Sequence, residues 1–193
     1  YTTNKAKFEK IWQQIANRFI GYDQHLLFEG YNEMLDASNT WNKPANTASY
    51  TALNSYAQSF VNVVRATGGN NATRNLVVNT YAAANNQDVI DHLVLPTDNV
   101  SGHLAVEIHT YDPYNWIKTY GAWNSTCSTE ITNMFARLKT KYVSQGIPVI
   151  IGEYGPNGDN ITVTSSSSDA LKQAAADQAA DIVKQAKALG IAT

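Results

Sequence analysis

Two glutamates stand where short apolar runs give way to polar residues. Glu33 follows Phe28-Glu29-Gly30-Tyr31-Asn32, and Glu153 follows Val149-Ile150-Ile151-Gly152. An unpaired carboxylate is costly in so apolar a run, which argues against Glu153 standing there by chance. When surroundings push two carboxyl pKa values apart, one group can give a proton while the other stays charged. Cleavage of a glycosidic bond with retention is a reaction of that kind. An acid protonates the leaving oxygen, a carboxylate attacks the anomeric carbon, and the two lie about 5–5.5 Å apart. The bland alternative for Glu33 is a solvated loop carboxylate. Glu29 and Glu107 belong to the same class of run and are expected as interior ion-pair or hydrogen-bond partners. His109 ends another run. Trp41, Tyr114 and Trp116 fall in segments after such runs, where ring faces could stack on sugars or pack locally.

Two carboxylates 120 positions apart need a scaffold that carries distant residues to one place. Apolar residues recur at helical spacing in Phe8, Ile11, Trp12, Ile15 and Phe19, and in Leu53, Tyr56, Ala57, Phe60, Val61 and Val64. They do so again in Ile131, Met134, Phe135, Leu138 and Tyr142, and in Leu171, Ala175, Ile182, Ala186 and Leu189; Asp88–Val94 reads as a shorter helix. Gly21, Gly68, Gly146 and Gly190 follow these stripes, where a left-handed residue closes a helix. Ser128 with Glu130, and Ser168 with Asp169, read as N-terminal signals. Between the stripes lie four short runs rich in branched residues: His25–Glu29, Leu76–Thr80, His103–His109 and Pro148–Glu153, with Ile191-Ala192 as the start of another. Alternating strands and helices imply an α/β fold with a parallel sheet. With no glycine-rich phosphate loop, and polar residues at every strand's C-terminal end, a (β/α)8 TIM barrel fits better than a doubly wound sheet. In strand register Glu153 shares a face with Val149 and Ile151, and His109 with Ala105 and Glu107, as expected if both side chains point into the barrel mouth.

The chain has 193 residues, short of the roughly 250 of a complete barrel. It therefore reads as a single domain over 1–193, truncated at both ends. Charged residues make up 16% and the net charge is −2, so no basic patch speaks for nucleic acid or an anionic membrane. No apolar run approaches a membrane span. Cys127 is alone and can make no intrachain disulfide. His25 and His103 open strands and His92 lies in the short helix, so these are expected to be structural; no cluster has zinc-ligand spacing. Sequons occur at Asn71, Asn99, Asn124 and Asn160 and could carry glycans in a secreted protein.

Three motifs then fall together. Phe28-Glu29-Gly30-Tyr31-Asn32-Glu33-Met34, His109-Thr110-Tyr111-Asp112-Pro113-Tyr114 and Ile151-Gly152-Glu153-Tyr154-Gly155 resemble glycoside hydrolase family 5, in the clan of retaining barrel enzymes. The resemblance runs the whole chain, from about the third helix to the start of the eighth strand. It implies that Glu33 is the acid/base, Glu153 the nucleophile, Asn32 a holder of the sugar 2-hydroxyl, Tyr111 a hydrogen-bond donor to Glu153, and His109 a neighbour of acid/base and substrate. Met34 departs from the proline common after Asn-Glu in the family. An arginine and a histidine of earlier strands, and a stacking tryptophan of the eighth, are expected to lie outside the chain. The implied activity is an endo-β-1,4-glucanase acting on a plant cell-wall polysaccharide without cofactor or metal, and outside the cell because its substrate is a polymer. The alternatives are a mannanase, xyloglucanase or xylanase-type relative, or a non-catalytic carbohydrate-binding fragment.

Overall fold

The computed structural model of the chain describes residues 2–156 and 162–193. The sequon at Asn160 lies outside them. The chain divides into two compact units, 1–107 and 108–193. Its elements in order are α1 (Thr2–Arg18), β1 (Phe28–Glu29), α2 (Ala48–Ala66), β2 (Leu76–Asn79), α3 (Gln87–His92), β3 (Leu104–Thr110), α4 (Trp116–Tyr120), α5 (Ser125–Lys141), β4 (Val149–Tyr154) and α6 (Asp169–Ala188). Strands follow chain order along the sheet. Phe28 pairs in parallel with Leu76, and Leu76 with Leu104. This is the expected βα alternation, and Ile150 bridges in parallel to Ala192, where a further strand was expected to start.

In the first unit, α1 and α2 are amphipathic and meet through rings. Trp12 lies 4.5 Å from Phe60, and Phe8 meets Tyr56 edge-on at 5.1 Å. Ala16, Ala57, Val61 and Val64 fill the rest against Leu76 and Val78 of β2. Ile11, expected on the buried stripe, is exposed; it sits on the flank, and Ala16 takes the central place.

The strand expected over His25–Glu29 shrinks to Phe28–Glu29 because its first half has other work. The fully buried Arg74 sends its guanidinium to the carbonyls of Phe19, Tyr22, Asp23 and Leu26, and its Nε to Asn71 Oδ1. It also lies 4.7 Å from the centre of the Phe28 ring, a cation–π contact. A chain bent so that four carbonyls converge on one cation cannot also run straight beside β2. Asn71 is itself buried, giving its amide to Ala16 O and Thr67 Oγ1, so it offers no nitrogen to a glycan. A second buried cation, Arg65, grips Asp98 at 2.7 Å.

In the second unit, α5 begins earlier than Ser128 and Glu130 suggest. Asn124 is its cap, accepting from the N–H groups of Thr126 and Cys127, which puts the sequon asparagine at a helix start. Ser168 caps α6 as expected, through Leu171 N. α6 is tied to the turn before α5 by Trp123 Nε1 donating to Asp181, and to α5 itself by Thr132 Oγ1 donating to Gln185. Gly68, Gly146 and Gly190 have positive φ, whereas Gly21 does not.

Candidate functional site

Glu33 sits in the first unit, four residues beyond the end of β1. The path to it is fixed at Gly30. A Cβ there would come within 2.9 Å of Phe60, so only glycine lets the chain pass over that ring. Gly30 also gives its N–H to Val77 and takes the Trp12 indole N–H on its carbonyl. Tyr31 donates to the carbonyl of Asn79, the last residue of β2, and burial pushes its hydroxyl well above the usual tyrosine range. Asn32 is exposed and Glu33 half-buried.

The loop after Glu33 leans on the end of β2. Ala82 N–H donates to Met34 O, while the Tyr81 hydroxyl accepts from Asp36 N and donates to Thr40 O. Ala82 and Ala83 both have positive φ, at 56° and 49°, a conformation that costs an alanine about 1–2 kcal/mol. That strained turn is what brings Ala82 N–H to the residue after Glu33. Glu29 is the hydrogen-bond partner that its place in the run suggests, taking the Asn79 amide at 3.0 Å. Glu107 is buried opposite Asn79 in the register of β2 and β3. Trp41 is 52% exposed, leaving ring surface for a ligand.

In the second unit, His109 and Tyr111 come from the end of β3 and Glu153 from β4. The Tyr111 hydroxyl donates to Glu153 Oε2, and His109 Nδ1 lies 3.6 Å from the same oxygen. His109 is almost wholly buried, while the Glu153 side chain is 44% exposed. One carboxylate oxygen is thus engaged from the protein side, and the group keeps an open side. That arrangement suits a carboxylate that is held in one orientation and still reaches a substrate.

Beyond Tyr111 the chain makes a cis Asp112-Pro113 bond and enters α4 through Asn115 in the left-handed conformation. Trp116, read above as a sugar platform or local packing, is the latter. It is fully buried, edge-on to Trp123 at 5.1 Å and packed on Cys127 and Ala174. Tyr114, 63% exposed, is the aromatic of this loop that faces out. His92 stacks on Tyr50 at 4.2 Å, while His103 bonds Asn75 and His25 bonds Asp23.

Sequence reasoning passed over Gln178, which is fully buried and reaches the loops after both β3 and β4. The signal existed: position 178 falls on the apolar stripe of the last helix, midway between Ala174 and Ile182.

Comparison with known proteins agrees along the whole chain. The family model for cellulase (glycosyl hydrolase family 5) matches residues 1–191. Endoglucanase B of Neocallimastix patriciarum is 39% identical over 155 residues, covering 78% of this chain and 32% of its own length. A glycoside hydrolase family 5 enzyme of Prevotella bryantii B14, solved with a xyloglucan tetradecasaccharide, is 54% identical with a TM-score of 0.97. The match takes in 100% of this chain and 56% of that one. A broad-specificity endoglucanase from an uncultured bacterium is 43% identical, with a TM-score of 0.87 over 100% of this chain and 55% of its own. The chain thus spans about a third of the curated relative and a little over half of the solved ones.

Proposed function

The chain belongs to the cellulase family, glycosyl hydrolase family 5, its fold being part of a (β/α)8 barrel, and on that premise we propose that it carries the catalytic carboxylates of a retaining endo-β-1,4-glucanase. Glu33 protonates the leaving glycosidic oxygen. Glu153 attacks the anomeric carbon to give a covalent glycosyl-enzyme, which water then opens with Glu33 acting as base. Asn32 holds the sugar 2-hydroxyl, and His109 binds the substrate. Trp41 offers a ring face to the glucan. Because a polysaccharide does not cross a membrane, the enzyme works outside the cell.

The observation that carries this reading is the Tyr111 hydroxyl on Glu153 Oε2, with His109 Nδ1 at 3.6 Å. A carboxylate merely solvated at a strand end has no need of two polar side chains gathered on one of its oxygens. A second reading, xyloglucan as the preferred polymer, is favoured by the Prevotella bryantii relative, which was solved with a xyloglucan oligosaccharide.

The test is Glu153→Gln in the full-length protein, assayed on carboxymethylcellulose and on xyloglucan. Loss of a nucleophile is expected to lower kcat by about a thousandfold or more on whichever polymer the unaltered protein cleaves, and NMR of the first product should show the β-anomer. A Glu153→Gln protein working at the unaltered rate overturns the assignment. An unaltered protein that binds both polymers and cleaves neither favours a carbohydrate-binding role.

A further inference from the structure

The geometry points to Gln178 as a positioning residue that clasps the two loops carrying Tyr111 and Glu153. Its side chain is fully buried on α6, in line with Ala174, Ile182 and Ala186. A primary amide in so apolar a stripe loses hydration, a cost that hydrogen bonds must offset. The bonds it makes are specific. Nε2 donates to the carbonyl of Gly155 at 3.2 Å and, more loosely, to that of Asp112 at 3.4 Å. Gly155 stands two residues after Glu153, and Asp112 one after Tyr111. One nitrogen therefore ties the loop that follows β3 to the loop that follows β4, just past the two side chains that share the Glu153 Oε2 hydrogen bond.

The orientation of the amide follows from the same geometry. Turning it over would set Oε1 against two carbonyl oxygens, so the nitrogen must face them. Oε1 is then buried without a partner among the described residues. The Gln178 side chain thus spends its donors on the loops and leaves its acceptor unused. A residue that served only to fill space on this helix would gain from being apolar there. A clasp explains the amide.

The consequence is for Tyr111. With the clasp in place, the loop carbonyls are held at one separation and the tyrosine hydroxyl stays on the carboxylate. Without it the loops separate and the Tyr111 bond to Glu153 lengthens. The catalytic importance of that bond rests on the function proposed above; the clasp itself does not.

The experiment compares the full-length protein with Gln178→Met, Glu153→Ala and the double variant, using methionine for its similar length and lack of a donor. The 13C resonance of the Tyr111 ring carbon that bears the hydroxyl follows the hydrogen bond to Glu153 Oε2 and needs no turnover. Gln178→Met is expected to move it in the same direction as Glu153→Ala, and the double variant to match Glu153→Ala alone. An unmoved resonance in Gln178→Met, or shifts that add in the double variant, would overturn the clasp. Should Gln178→Met not fold, Gln178→Glu keeps the question answerable. Its carboxylate cannot donate to the two carbonyls, so the same movement of the Tyr111 resonance is expected, and an unmoved one would count against the proposal.

A second readout separates the clasp from the function. A 2-deoxy-2-fluoro-β-cellobioside with a dinitrophenolate leaving group transfers its sugar to a retaining nucleophile: the Glu153 oxygen bonds the anomeric carbon as dinitrophenolate departs. Gln178→Met is expected to slow this labelling at least tenfold, and labelling at the unaltered rate speaks against positioning. If the unaltered protein takes no label at Glu153, the glycosidase reading fails while the Tyr111 resonance still judges the clasp.

Discussion

At the scale of single residues, the Glu153 carboxylate is defined by what touches it. Tyr111 supplies the hydrogen bond, and a bond to a charged group contributes about 1.5–3 kcal/mol. Replacing Tyr111 by phenylalanine is therefore expected to lower kcat roughly tenfold to a hundredfold. Steady-state rates of the two proteins would check this, and an unchanged kcat would sink it. Glu33, His109 and Glu153 stand out in the sequence because polar side chains at the ends of apolar runs are conspicuous, whereas the Tyr111 bond to Glu153 was implied only by the family resemblance. Trp116 was not legible as core, since its burial depends on Trp123, Cys127 and Ala174, brought together only by folding. Gln178 was hidden for the opposite reason: a polar residue inside a helical stripe reads as a break in the pattern, not as a member of it.

At the scale of elements, periodicity alone located α2 and α6, and the apolar runs foretold β2, β3 and β4 to within a residue, whereas no stripe announced the short α4. β1 keeps only two residues because the preceding carbonyls converge on Arg74, a demand that no local pattern announces. Neither does the alanine pair beyond β2, where positive φ at Ala82 and Ala83 supports the turn under Met34. The same loop depends on the missing side chain at Gly30. Gly30→Ala drives a methyl to 2.9 Å from the buried Phe60 ring, an overpacking that is expected to cost about 1–3 kcal/mol. A urea melt should show the lowered midpoint with an unchanged slope. A stability equal to that of the unaltered chain would mean that Phe60 can yield.

At the scale of the whole molecule, acid is the expected weakness. Burial works to raise Asp98, Asp36 and Asp181, but hydrogen bonds outweigh it and hold all three below the usual carboxylate range. For Asp98 the donors are Arg65 and the N–H groups of Val100 and Asn99. A carboxyl depressed in the folded state stabilises fully above its unfolded pKa, about 3.9, and loses that contribution as pH falls toward the folded value. Stability should therefore be level near neutrality and fall below about pH 4. Asp98→Ala, which strands Arg65, is expected to cost about 3–5 kcal/mol at pH 7 and less at pH 3, measured by urea melts at both. A deficit of the same size at both would separate the pair from the acid response. Arg74 bears on a different question, that of which positions are free to change. Four of its five acceptors are backbone carbonyls. It therefore recognises the course of the chain from Phe19 to Leu26. Substitutions at the exposed Gln24 and His25 of that bend should pass almost unnoticed, whereas the fork itself has no substitute, since a lysine ammonium lacks the planar spread of donors that four separate carbonyls require.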